Sequence, residues 1–351
     1  MYAIYSDGLL VYAPTRARDG YAAIAPKWVQ EVGKADSLTF TLPPTNPRIS
    51  SPALMTSTIK LEEDGTAVYI GRVLKTERDF LNRKTFTCEG ALGFLNDSVR
   101  RPHTSSASSQ LYMGSLISNH NDQASGNRRI ALGTGWGFSN AVSVNEEDYQ
   151  ITLDLIMKYG MASPTDVILP RYVISSGILT IYLDRLGVVN GSQVVQFGKN
   201  LLDLTEYLGA EDLYTVLIPT GKDGLTVTSV NDGKDYITAS AAVSAFGSIW
   251  RQQSFGDIEA AADLLSAGQK ALEEATGAAL NLTFKAVDLK AAGLSPDGFE
   301  IGRWYRFLSP PHGIDARYQL TRISRDLTDP DKSDFVFGIQ RKTISAAVAG
   351  K

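Results

Sequence analysis

Short runs of alternating or β-branched residues recur along most of this sequence, cut apart by Gly, Pro, Asn and Asp, and that rhythm restricts the fold more than any other feature. The runs are SLTFTL (37–42), TAVYIGRVL (66–74), KTFTCE (84–89), GILTIYLD (177–184), DGLTVTSV (223–230), LNLTFKAVDL (280–289) and SDFVFGI (333–339). Alternation sends successive side chains to opposite faces, so each run reads as a strand with one face buried. Many short strands with frequent turn residues are the pattern of small barrels and sandwiches.

Helices are expected mainly in the middle of the chain. Leu111–Asn119 and Leu153–Tyr159 carry helical spacing, the second ended by Gly160. The longest is DIEAAADLLSAGQKALEEA, in which Ile258, Ala261, Ala262, Leu265 and Leu272 line one face, Asp257 and Glu259 favour the N-terminus, and Gly277 closes the run. The stretch GSQVVQFGKN (191–200) ends in Gly-Lys between a β-branched run and a leucine-rich one, which raises the question of a phosphate loop. Its spacing argues against one: six residues separate Gly191 from Gly198, and Asn200 stands where a hydroxyl should hold Mg²⁺. Asn200 reads instead as the N-cap of a short helix, LLDLTEYL, with Leu201, Leu204 and Leu208 on one face and Gly209 at its end.

The chain has 351 residues, 43% hydrophobic and 21% charged, which is ordinary for a folded protein of two or three domains. A net charge of −4, from 34 basic and 38 acidic residues, speaks against a nucleic-acid-binding footprint. DNA is expected to pass without specific binding. MYAIYSDGLLVY meets Asp7 and Gly8 before reaching the length of a signal peptide, and no run approaches the ~18 apolar residues of a membrane span. Synthesis in the cytoplasm and no membrane insertion are the expectations. The single cysteine, Cys88, excludes internal disulfides and a cysteine-based zinc site.

RRPHTSSASSQ (100–110) is polar, contains Pro102 and four serines with Thr104, and reads as a linker. An internal echo is also present. Near residue 60 the order is strand (TIKL), turn (EEDG), strand (AVYIGRVLKTE), turn (RDFLNR), strand (KTFTCEG); near residue 305 it is WYRFL, SPPHG, RYQLTRISRD, LTDPDK, SDFVFG. Order and turn chemistry recur while residue identities hardly do, which fits either a duplicated unit or coincidence among β proteins.

Taken in order, VQFGKNLLDLTEYLGAEDLYTVLIPTG (195–221), the long helix, LNLTFKAVDLKAAG and the closing RISRDLTDPDKSDFVFGIQRKTIS resemble the phage tail protein family, more narrowly the baseplate hub and tail-associated lysin N-terminal module, also labelled prophage tail endopeptidase or minor structural protein. The likeness spans nearly the whole chain in ordered, individually weak motifs. It implies a fold that is mainly β with α+β: two small tube-forming β-barrel domains plus peripheral α/β modules, hub-like. The corresponding division is a first barrel at 1–99, a linker at 100–110, a peripheral α/β domain at 111–192, the second barrel at 193–230 and 279–345, a peripheral segment with the long helix at 231–278, and a tail at 346–351. The resemblance further implies a homotrimeric ring in the virion tail, at the baseplate or tail tip, touching the tail tube or distal tail protein, the tape measure protein and receptor-binding or fibre proteins. Two similar barrels in each of three chains would match a sixfold tail ring. Members with a lytic role continue into a separate catalytic region, whereas this sequence ends at AAVAGK.

The endopeptidase label calls for a search for chemistry. His103, His120 and His312 have no metal-ligand spacing and form no H-E-x-x-H. Cys88 shares a strand face with Phe86 and reads as core, and no G-x-S-x-G occurs. The carboxylate trios Glu62–Asp64 and Glu146–Asp148 read as a solvated hairpin turn and a helix approach rather than a glycosidase pair. No catalytic, cofactor-binding or metal-binding residue is expected, and no cofactor. Trp136 and Phe138, flanked by glycines in GTGWGFSN, keep open a polysaccharide-adhesion module as an alternative, with a peptidoglycan hydrolase as another.

Overall fold

A computed structural model describes residues 1–137, 141–161, 163, 165–208, 213–277, 280–290, 293–295, 297–329 and 332–338. The first stretch supplies seven strands: β1 (Tyr2–Ser6), β2 (Leu9–Tyr12), β3 (Ile24–Glu31), β4 (Ser37–Leu42), β5 (Thr58–Glu63), β6 (Thr66–Arg78) and β7 (Lys84–Gly90). Alternation does what the sequence requires of it. Leu38, Phe40 and Leu42 of β4 are buried while their neighbours are partly wet, and Phe40 sits opposite Phe86 of β7 with ring centroids 5.3 Å apart. Cys88 belongs to the same core, as expected.

An α/β insertion follows: β8 (Val99–Arg100), β9 (His103–Ser108), α1 (Ser109–Gln123), β10 (Ile130–Leu132), β11 (Ala141–Glu146), β12 (Gln150–Ile151), α2 (Thr152–Tyr159), β13 (Val167–Ser175) and β14 (Ile178–Leu186). Both expected helices are present, and the Gly160 amide closes α2 on the Ile156 carbonyl. The expected linker at 100–110 is not one. His103–Ser108 pairs antiparallel with β11, and the Ser108 hydroxyl caps α1 by accepting from the Leu111 amide. Serine-rich composition marked the strand as polar, but its backbone is satisfied by a partner and by the helix it starts. Tyr112, Met113, Leu116, Ile117 and His120 turn the buried face of α1 towards a core that includes Trp136, Ile156 and Leu183.

The remaining elements are β15 (Asn190–Gln196), β16 (Leu201–Leu208), β17 (Val216–Thr220), β18 (Ile237–Thr238), α3 (Ser240–Phe246), β19 (Trp250–Ser254), α4 (Ala261–Gly277), β20 (Leu280–Ala286), β21 (Trp304–Ser309), β22 (Ile314–Asp326) and β23 (Asp334–Phe337). The short helix expected after Asn200 is instead the strand β16, paired with β20. Asn200 spends its side-chain oxygen on the Gln196 amide and its carbonyl on the Val287 amide, which closes a turn with Gly198 at φ 78°. Long-range pairing has overridden local helical spacing. Gly209, expected to end that helix, and the 346–351 tail lie outside the described residues. The run 223–230, read as a strand, is a pair of short 3-10 turns, with Asp223 and Gly224 both at positive φ.

The chain divides into two compact units, Met1–Leu201 with Lys285–Val336, and mainly Leu202–Phe284. In the second, α4 covers β17 through Gly268, Leu272 and Ala275, with Leu264 also buried, a face shifted from the expected one, and Asp257 and Glu259 precede the helix rather than occupy its first turn. Glycine is needed at 268, because a Cβ there would stand 2.7 Å from the Ile237 side chain and 3.1 Å from Pro219.

The first unit is dominated by one eleven-stranded sheet in the order β15-β21-β22-β3-β4-β7-β6-β5-β1-β2, with β23 also on β22. The mainly β, α+β class expected from sequence is therefore present. Separate closed barrels are not: among the described residues the sheet stays open, because β22 gives Arg322–Asp326 to β3 and fuses the late strands to the early ones. The internal echo is real as topology. β5-β6-β7 and β21-β22-β23 are both meanders whose middle strand has 13 residues.

Candidate assembly surface

The three histidines, the cysteine and Glu146 are each held by structural contacts. His120 is fully buried; its Nε2 faces the Arg128 carbonyl at 2.9 Å and therefore carries the ring proton, leaving Nδ1 to accept from the Ser98 hydroxyl at 2.9 Å. Thr152 Oγ1, at the start of α2, stands 2.8 Å from the same Ser98 oxygen. This Ser-His-Thr chain superficially resembles a nucleophile with its base, yet all three side chains are sealed from solvent, and burial holds the imidazole below its ordinary pKa. It fastens α1 to the start of α2. His103, on β9, has Nδ1 against the Arg101 carbonyl and Nε2 3.0 Å from the Tyr112 hydroxyl. His312 lies in the turn after β21 with Nδ1 2.6 Å from Ser309 Oγ.

Burial pushes the Cys88 thiol far above its ordinary pKa, the opposite of what a nucleophile needs. Of the carboxylate trios, Glu62 pairs with Lys60 at 2.6 Å, Glu63 accepts from Tyr2, and Asp64 with Gly65 makes the β5–β6 turn. Glu146 ends β11, where burial alone would raise its pKa; hydrogen bonds from Lys158 and Tyr159 outweigh that and hold the carboxyl below the usual range. Trp136 is buried and donates Nε1–H to the Leu183 carbonyl at 2.7 Å, so it offers no sugar shelf; Phe138 lies outside the described residues. Among the described residues, no three of His, Cys, Asp and Glu gather as a metal site would require.

A cleft of about 640 Å³ opens in the first unit beside Glu63, Asp64, Asp288, Asp297 and Glu300, with Lys290 at its rim. Its best-placed carboxylate is already used: Asp288 accepts from Gln193 Nε2 at 2.7 Å, the Lys290 amide at 3.0 Å and the Phe299 amide at 2.9 Å. The arrangement ties Asp288 to Gln193, Lys290 and Phe299, and the cleft's other carboxylates stand beside Lys290, Arg325 and the N-terminus.

The surface holds a different kind of feature. At the β6–β7 turn Phe80 is 99% exposed and Leu81 60% exposed. The turn that presents them is fixed rather than loose. Asp79 Oδ1 accepts from the Leu81 amide at 3.0 Å and the Arg83 amide at 2.9 Å, Oδ2 meets Arg83 Nε at 2.6 Å, and Asn82 adopts φ 58°. The sequence signal was an apolar pair inside RDFLNR, a run otherwise read only as a turn.

The fold is that of phage tail proteins from one end of the chain to the other. It is similar to the 43 kDa tail protein of prophage MuSo2 from Shewanella oneidensis (TM-score 0.63, 10% identity, covering 97% of this chain and 98% of that one), and to the tail protein from Neisseria meningitidis MC58 (TM-score 0.60, 12% identity, 97% of each). Prophage tail protein gp18 from Listeria monocytogenes is similar as well (TM-score 0.56, 13% identity, 93% of this chain and 91% of that one). Residues 189–348 match the family model described as prophage endopeptidase tail. No curated protein matches the sequence. The likeness to phage tail proteins read from the ordered motifs is thus borne out: the chain has a phage-tail-protein fold, and its later part matches that family's model.

Proposed function

We propose that three copies of this chain close into a ring at the tail tip or baseplate of a phage or phage-like particle, continuing the tail tube and connecting it to distal receptor-binding or lytic components. The observation that carries this reading is the pair of meanders within one open sheet, in a chain whose fold follows tail proteins over its whole length. A duplicated unit lets a threefold ring present six similar sites to a sixfold neighbour. The parts 1–99 with 193–230 and 279–345 would form the tube wall, and 111–192 and 231–278 the periphery. Tail tube or distal tail protein, tape measure protein and fibre proteins are the expected neighbours.

The ring is proposed as a conduit without hydrolytic activity. The residues that hydrolysis would need are buried, hydrogen-bonded into the core or spent on turns. Duplex DNA should bind no more tightly than the ~10⁻⁴ to 10⁻⁶ M of non-specific binders, because the net charge of −4 supplies no excess of phosphate-neutralising groups. Labelling tests the location: antibody against the chain should decorate one end of particle tails in electron micrographs. Decoration along the tail shaft, or on heads, would overturn the placement, and clearing of host cell walls by the purified chain would overturn the passive role.

A further inference from the structure

The two meanders can be put in register by their own pairings. Ile59 of β5 lies opposite Gly71 of β6, and Tyr305 of β21 lies opposite Tyr318 of β22. Carrying that register along the middle strands matches Lys75 with Arg322, Asp79 with Asp326 and Phe80 with Leu327. The turn chemistry agrees independently: Asp79 Oδ1 accepts from the amide two residues on, at Leu81, and Asp326 Oδ1 does the same from Thr328 at 2.8 Å.

Matched positions have opposite environments. Leu327 is 3% exposed in the first core, its amide donating to the Pro26 carbonyl at the head of β3, while Phe80 stands in solvent. The strands leading to them differ in the same sense. Arg322–Asp326 of β22 pairs with Lys27–Glu31 of β3, with Arg322 opposite Glu31 and Asp326 opposite Lys27. Among the described residues the equivalent Lys75–Arg78 of β6 pairs with β7 alone. The end of the late meander has found its dock on the early half of its own chain; among the described residues the distal part of β6 and its Phe80–Leu81 tip have found none.

From this asymmetry we infer that the distal part of β6 and the Phe80–Leu81 tip dock on a second copy of this chain, against the counterpart of β3 in its late half. That counterpart is β16. It pairs with β20, whose Leu282-Thr283-Phe284 repeats Leu38-Thr39-Phe40 of β4, the strand that pairs with β3; Phe40 and Phe284 are both fully buried. Among the described residues β16 has no second strand partner, Leu202 is 68% exposed, and Asp203 offers a charge opposite in sign to Lys75 and Arg78. Because the donor and acceptor surfaces differ, repetition propagates head to tail and closes only as a ring. The inference deepens the ring reading and rests on it.

Sedimentation of the full chain, with and without Phe80→Asp, tests the contact. The parent chain should self-associate into a closed oligomer. Phe80→Asp should remain folded, by circular dichroism and melting, while the dissociation constant rises by at least ~30-fold, as loss of an aromatic anchor does. A second readout needs no dissociation constant: Thr76→Cys protein mixed with Leu202→Cys or Thr205→Cys protein should form a mixed disulfide, with buried Cys88 silent. An oligomer unaffected by Phe80→Asp and uncrosslinked in both mixtures would sink this contact and leave the ring standing. A parent chain that stays monomeric at all concentrations would overturn the self-docking itself, whatever the tail labelling shows.

Discussion

The meander β5-β6-β7 and the meander β21-β22-β23 share a frame and differ in what fills it. At the matched position on the two middle strands one has Arg72 and the other Gln319. Arg72 is buried against Glu89, with Nη2 2.9 Å from Oε2, and against both oxygens of Asp97. Gln319 donates Nε2–H to the Thr165 carbonyl at 2.9 Å and the Gly302 carbonyl at 3.1 Å. Both side chains tie the strand to neighbouring loops, one by charge and one by neutral hydrogen bonds. The lesson is that topology was kept while the means of holding it diverged, so the same truncation should have unequal effects in the two halves.

The largest effect follows directly. Arg72→Ala leaves Glu89 without its cation and Asp97 with Arg128 alone, at 3.3 Å, and should cost about 3 kcal/mol, short of the upper range for broken buried pairs because Asp97 keeps that partner and a third of its side chain in water. Gln319→Ala loses neutral bonds to carbonyls and should cost about 1 to 2 kcal/mol. Urea unfolding of the two variants compares them. Equal losses would break the distinction between a charged and a neutral tie.

Leu327→Ala should come next, at about 2 to 4 kcal/mol, since it opens a cavity beneath Tyr12 and β3 in a closed core. The melting temperature of the variant reads this. An unchanged value would mean that the late meander's tip contributes nothing to the fold, and the contrast with Phe80 would lose its basis.

How much of this was legible in the sequence depends on the range of the interaction concerned. Strands β4 and β7 were readable because each buries every second side chain, a property of the strand by itself, while β6, whose buried residues run consecutively, was readable from its β-branched and aromatic content. The LLDLTEYL run was misread for the opposite reason. Its leucines satisfy a helical spacing locally, and what makes it a strand is β20, some 80 residues away along the chain. Likewise 103–108 looked like a linker because its partner β11 lies beyond α1. The fusion of both halves through β22 and β3 joins residues about 300 apart, and no local pattern announces it. Of the surface, Phe80 and Leu81 lay inside RDFLNR, which was read only as a turn, and their meaning needed Leu327 in register beside them.

A titrating group sharpens the comparison at a smaller scale. Asp36, between β3 and β4, is buried with its carboxyl against Trp28 Nε1 at 3.2 Å and Gln30 Nε2 at 3.4 Å, and burial pushes its pKa up to about 7 in spite of those donors. The unfolded chain gives up this proton near pH ~4, so between about 4 and 7 the folded chain binds more protons and stability falls as pH rises. Above about 7 the fall is complete. Asp36→Asn should flatten that window and leave the variant about 2 kcal/mol more stable than the parent at pH 8. Unfolding free energies at pH 5 and pH 8 decide it; a parent chain that gains stability across the window would show the carboxyl to be ionised in the fold.

The smallest expected effect sits at the position equivalent to Leu327. Phe80→Ser removes the most exposed large apolar side chain among the described residues, and the turn beneath it is held by Asp79, Asn82 and Arg83 rather than by the ring. The stability of the isolated chain should therefore change by less than ~0.5 kcal/mol, as surface substitutions away from caps and cores do. Set against the loss at Leu327, this isolates what position in the duplicated frame means: one tip buried on its own chain contributes to folding, the other, exposed, contributes nothing until something covers it. Denaturant unfolding below the association concentration measures the difference. A loss of 2 kcal/mol or more would place Phe80 against its own chain, and the two tips would then be equivalent in fact as well as in register.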